Sequence, residues 1–148
     1  MHPCGAVDVP LPDRLAAVVG LHMVGHIPPP DRRRLWTAVA ARLARGGSVV
    51  LNVQPPDSAV AVPLFPWSGT TIGAHTYEGR GEAEVIDQDC LHWRMAYRTR
   101  VGDTVLAETT ADYRWWVLSA AGLADELSAA GLEVRVDDDL VVGRRPQR

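Results

Sequence analysis

The sequence predicts an α/β fold: a partial, mainly parallel sheet with two helices, a closing antiparallel hairpin and an inserted three-stranded antiparallel lid. Three stretches carry that expectation. Residues 15–54 read as strand, loop, helix, Gly-Gly turn and strand, the βαβ order that joins parallel neighbours. Residues 76–118 read as three strands in a meander. Residues 119–146 read as a helix followed by two short strands.

Taken in order, residues 1–14 form an irregular start punctuated by Pro3, Pro10 and Pro12. Leu15-Ala-Ala-Val-Val-Gly-Leu is a continuous apolar run, the pattern of a strand buried on both faces. Pro28-Pro29-Pro30 stops it, and Asp31 is the expected N-cap of the first helix. Leu35, Trp36, Val39, Ala40 and Leu43 then fall on one helical face. Gly46 and Gly47 should end the helix, because glycine accepts the left-handed conformation there. Ser48-Val-Val-Leu-Asn-Val is the second strand. Residues 55–76, rich in Pro, Gly, Ser and Thr, read as a long loop.

Strands are expected at 76–86, 91–100 and 105–118. His92 to Arg98 alternates with period two, and Val101-Gly102-Asp103 supplies a tight turn. Ser119 caps a helix over 120–130 with Leu123 and Leu127 on one face, and Gly131 ends it. The strands around 132–136 and 140–143 flank Asp137-Asp138-Asp139.

Composition narrows the function. An apolar content of 47% suits a globular domain. A net charge of −3 gives no general attraction to nucleic acid or to an anionic membrane. Residues 15–30 carry two His, two Gly and three Pro, so no transmembrane helix of roughly 20 apolar residues fits there. Cys4 and Cys90 lack metal or redox spacing and read as two reduced thiols in a cytoplasmic protein. His2, His22, His26, His75 and His92 form no metal spacing. Arg32-Arg33-Arg34 reads as a solvated helix face.

The ordered pieces resemble the later half of a class I S-adenosylmethionine (SAM) methyltransferase. VPLPD before an apolar strand resembles the lead-in to that family's fourth strand. LHMVGHIPPPDRRRLWTAVAARLARGGSVVLNV resembles its fourth helix and fifth strand. WVLSAAGLADELSAAGLEV and LVVGRRP resemble its last helix and final hairpin. The resemblance spans residues 7–146 and implies a Rossmann-like sheet. It also implies one truncated domain over 1–148: a βαβ unit at 15–54, loop and lid at 55–118, helix and hairpin at 119–146. The departures fall on cofactor binding. No GxGxG loop is present, the place of an adenine-contacting Asp is Gly5, and an Asp early in the fourth strand is replaced by Ala16.

The resemblance implies site residues as well. Gly20, Leu21, His22 and Met23 follow the first strand at the carboxyl end of the sheet, where open α/β folds bind ligands, and correspond to the methionine side of SAM. A packed strand end with a surface His is the plainer alternative. His26 matches a family histidine and suits a general base, or only holds its loop. Asp57 orients a substrate amine or hydroxyl, or caps a turn. Trp67, His75, Tyr77 and Arg94, with Trp93, Tyr97, Trp115 and Trp116, belong to a lid over a small-molecule substrate. Some of these aromatics simply pack the sheet: Trp93 or Tyr97, and one of Trp115 and Trp116.

The expected function is N- or O-methyl transfer from SAM to a small molecule, with this chain as the substrate-side portion, inactive alone. The alternative is a non-catalytic module. With the family's first strand missing, the strand near 15–21 would be an exposed edge, open to a homodimer or a partner chain.

Overall fold

The computed structural model describes residues 10–147. Cys4, Gly5 and the first part of the proline-rich lead-in lie outside the described residues. The strands are β1 (Leu15–Gly20), β2 (Leu43–Asn52), β3 (Ser68–Ile72), β4 (His75–Asp87), β5 (Cys90–Val101), β6 (Thr104–Trp116), β7 (Glu133–Asp137) and β8 (Leu140–Arg144). The helices are α1 (Pro29–Arg42) and α2 (Ala120–Ala129), with a single 3₁₀ turn at Val24–His26. Two compact units result: residues up to 58 together with those from 116 onward, and residues 59–115. Among the described residues no helix is long and apolar enough to cross a membrane.

The first unit holds a four-stranded sheet in the order β1-β2-β8-β7. β1 and β2 are parallel, in register from Ala17 opposite Ser48 to Gly20 opposite Leu51. β8 runs antiparallel to β2, with Leu140 opposite Asn52, and β7 closes the hairpin. One core joins Leu35, Trp36 and Val39 of α1, Leu123 and Leu127 of α2, and Val49, Leu51 and Val141 of the sheet.

Several local expectations change here. β1 is not buried on both faces. Leu15 and Val18 pack on the core, but Ala16 and Ala17 are exposed and Val19 is 65% exposed. β1 is the end strand of its sheet among the described residues, so the cover that a double-sided apolar strand needs is incomplete. Asp31 does not cap α1. Pro28 holds the cap position without a side-chain bond, and prolines fill the first helical positions, where a missing N–H costs nothing. Asp31 instead pairs with Arg34 within the first turn.

Gly46 and Gly47 do not end α1, which stops at Arg42. They lie inside β2, where the register against β1 jumps from Leu15–Leu43 to Ala17–Ser48. Gly46 takes φ +73°, and a Cβ on Gly47 would lie 2.8 Å from the Leu15 carbonyl oxygen. The pair serves a bulge and a close strand approach. Arg32 is not solvated. It is 2% exposed and each of its three side-chain nitrogens donates a hydrogen bond, whereas Arg33 and Arg34 are exposed.

α2 forms as expected. Gly122 N donates to Ser119 Oγ at 3.1 Å. At the other end Gly131 adopts φ +87°. Gly131 N donates to Ser128 O and Leu132 N to Leu127 O, the paired bonds of a Schellman motif, with Leu127 and Leu132 both in the core.

The second unit is a four-stranded sheet in the order β3-β4-β5-β6. β3 lies in the stretch expected to be loop and pairs antiparallel with β4 from Ser68–Gly79 to Ile72–His75. Its Ser-Gly opening masks a β-branched run, Thr70-Thr71-Ile72. β4 and β5 are antiparallel, which sorts their side chains onto two faces. On one, Gly79 and Gly81 face Tyr97 and Met95. A Cβ on Gly81 would come within 2.2 Å of Met95 Sδ, so the Gly-Arg-Gly stretch makes room for its cross-strand partners. On the other, Glu78, Glu82 and Glu84 face Arg98, Arg94 and His92. Ala83, Cys90, Leu91 and Trp115 are buried, and Cys90 is a free thiol.

Candidate functional site at the carboxyl ends of β1 and β2

Parallel strands end at the same rim, so Gly20 and Leu51 bring the two following loops together. Gly20 is buried. Met23 folds back over it, and a Cβ there would meet Met23 Sδ at 2.5 Å and Leu51 Cδ2 at 2.9 Å. Leu21 is 54% exposed. His22 adopts φ +57°, a left-handed conformation uncommon for a non-glycine residue. Two neighbours hold it. Its backbone N donates to Asn52 Oδ1 at 2.8 Å, and its ring Nδ1 meets Gln54 Nε2 at 2.5 Å.

The loop continues into the 3₁₀ turn. His26 N donates to Met23 O at 3.0 Å and Ile27 N to Val24 O at 3.3 Å. Val24 and Gly25 are buried while the His26 side chain faces outward. Partial burial holds the His26 imidazole below its ordinary pKa. On the β2 side, Val53 N donates to Asp139 O at 2.9 Å, which ties the closing hairpin turn to this rim. Asp57 is exposed beyond Pro55-Pro56.

The structure thus gathers Gly20, Leu21, His22, Met23 and His26 on one loop. It adds Asn52 and Gln54, which sequence reasoning missed. A buried Asn closing an otherwise apolar strand was the available signal, because a buried amide needs partners.

The other candidates belong to the second unit. Trp67 lies against two guanidiniums, with Arg98 Cζ 4.1 Å and Arg80 Cζ 4.7 Å from its ring centre. His75 and Tyr77 stack with ring centres 6.3 Å apart. Arg94 pairs with Glu82 at 3.2 Å and Glu84 at 3.3 Å. Trp115 is buried, Trp93 and Trp116 are half-buried, and Tyr97 covers Gly79. Tyr77, Gly79, Tyr97, Thr99, Ser68 and Glu108 border an open groove of about 500 Å³ within this unit. Among the described residues no three His, Cys, Asp or Glu side chains come together as a metal site.

The sequence resemblance would set the methionine side of SAM at this rim. The space beside Gly20 is filled by Met23, and the His22 N–H is spent on Asn52. The N-terminus of α1 opens on Pro28, Pro29 and Pro30, which carry no N–H to offer an anion.

No protein-family model matches the chain, and no curated protein matches it. Solved structures do. DesVI of Streptomyces venezuelae is similar with a TM-score of 0.72 at 18% identity, covering 95% of this chain and 62% of that one. A SAM-dependent methyltransferase from Clostridium acetobutylicum gives 0.68 at 11% identity, over 95% and 62%. SAM-bound CalS10 of Micromonospora echinaspora, an aminopentose methyltransferase, gives 0.66 at 15% identity, over 94% and 61%. The chain spans about three-fifths of the length of these proteins. It therefore has the fold of the class I SAM-dependent methyltransferases, over the part of their length that it covers.

Proposed function

We propose that the chain is the acceptor-side part of a SAM-dependent methyltransferase acting on nitrogen or oxygen of a small molecule. The observation that carries this is the parallel β1–β2 pair with its shared loop rim, set in a fold similar to an aminopentose methyltransferase. KedS8, a sugar N-methyltransferase from Streptoalloteichus, adds support with a TM-score of 0.64 at 18% identity, over 95% of this chain and 60% of that one.

In this reading Gly20, Leu21, His22 and Met23 border the cofactor's methionine side. His26 accepts the proton released by the acceptor. A lowered pKa keeps its imidazole neutral and able to do so near neutral pH. Asp57, on the same unit, meets the substrate. Holding the acceptor in line supplies most of the rate. In this reading the donor-binding groups come from another chain or segment. Calorimetric titration of the isolated chain with SAM is expected to show no binding in the micromolar range. Micromolar affinity would overturn the division of labour.

A second reading is favoured by the exposure of Val19 on β1, the end strand of its sheet among the described residues, and of Leu21 just after it. Here the chain is a non-catalytic module, and a second copy or a partner chain pairs with β1. A concentration-independent monomer in size-exclusion chromatography would count against it.

A further inference from the structure

Arg32 sits on the apolar face of α1, one turn before Trp36. Its Nε and Nη2 donate to Glu126 Oε2 and Oε1 of α2, both at 2.8 Å. Trp36 Nε1 donates to the same carboxylate at 3.0 Å. The remaining nitrogen points elsewhere. Arg32 Nη1 donates to the carbonyl oxygens of Val24 at 3.4 Å and Ile27 at 3.3 Å. Those two carbonyls bracket Gly25 and His26.

A guanidinium taken out of water is costly unless its donors are answered. Packing alone would be served by leucine or methionine at this position. What arginine adds is a planar fork with donors on separate edges. One edge grips the carboxylate of α2, and another reaches the turn that carries His26. A lysine ammonium is a point charge and does not span both.

We propose that Arg32 is a positioning residue. It holds the Val24–His26 turn, and with it His26, at the rim of β1 and β2, with Glu126 as its anchor on α2. The functional weight of this role rests on the proposed methyl-transfer reading.

Native-state hydrogen exchange on the full chain tests it. The amides of His26 and Ile27 close the turn, and those of Val49 to Leu51 report the sheet. Arg32→Met is expected to speed exchange at His26 and Ile27 by ~10-fold or more relative to the sheet. Glu126→Gln keeps an acceptor for Arg32 and leaves both carbonyl contacts, so the turn should stay protected. Arg32→Lys keeps a positive charge opposite Glu126 yet should show the same local loss as Arg32→Met, and it serves if the methionine variant does not fold. Acceleration spread evenly over turn and sheet would overturn the proposal. So would wild-type protection of the turn in Arg32→Lys, or loss of the whole fold in both variants. The exchange pattern is read on the chain alone and does not depend on catalysis, so it is expected even if the methyl-transfer reading fails the calorimetric test. The two failures are therefore separable.

Discussion

At the scale of single residues, the second unit concentrates its charge on Glu78. Arg100 donates to it from Nε at 2.7 Å and Arg98 from Nε at 2.8 Å. These bonds, Arg100 first, bring its carboxyl from 4.5 down to about 2. A depressed carboxylate contributes stability that is complete above its unfolded pKa and lost as pH falls through the folded one. The contribution should therefore fade between about 4.5 and about 2. Urea midpoints of the wild type and Glu78→Gln should differ near neutral pH and converge at the acid end of that window. A gap that stays constant would show that the arginine pairs contribute nothing.

At the scale of elements, α2 carries a complete set of end signals. Ser119 Oγ satisfies one of the free donors of its first turn. Ser119→Ala should cost about 1 kcal/mol, and Ser119→Asp should recover most of it, measured by urea denaturation of the full chain. α1 is organised differently. It has no side-chain cap and is anchored through the Arg32–Glu126–Trp36 contacts on its buried face. Breaking a buried ion pair by removing one partner costs about 3–5 kcal/mol. α1 thus depends on α2 more than on its own ends.

At the scale of the molecule, the first unit ends on β1, whose outer side has no strand beside it among the described residues. Val19 and Leu21 stand exposed there. A charged side chain on an edge strand opposes pairing with another chain. If β1 meets a second copy, the wild type should elute as a dimer and Val19→Lys as a monomer. Identical elution of the two would remove β1 as an interface.

How much of this could be read in advance varies with the range of the cause. Ser119, Gly131 and the period-two run around His92 act through neighbours in the chain, so α2, the hairpins and the meander were legible as a sequence. So was the βαβ order. Four features were not. β3 was hidden because Ser68-Gly69 reads as loop until β4 supplies its hydrogen bonds. Gly46 and Gly47 read as a helix stop until β1 is seen beside them. Arg32 reads as surface until Glu126, far along the chain, neutralises it inside the core. Asn52 and Gln54 gained meaning only when parallel pairing set them against His22. Local propensity and periodicity fix the identity and order of the elements. Which polar group is buried, and against what partner, is settled only when distant segments meet, because the desolvation that makes such a group costly or useful does not exist in the open chain.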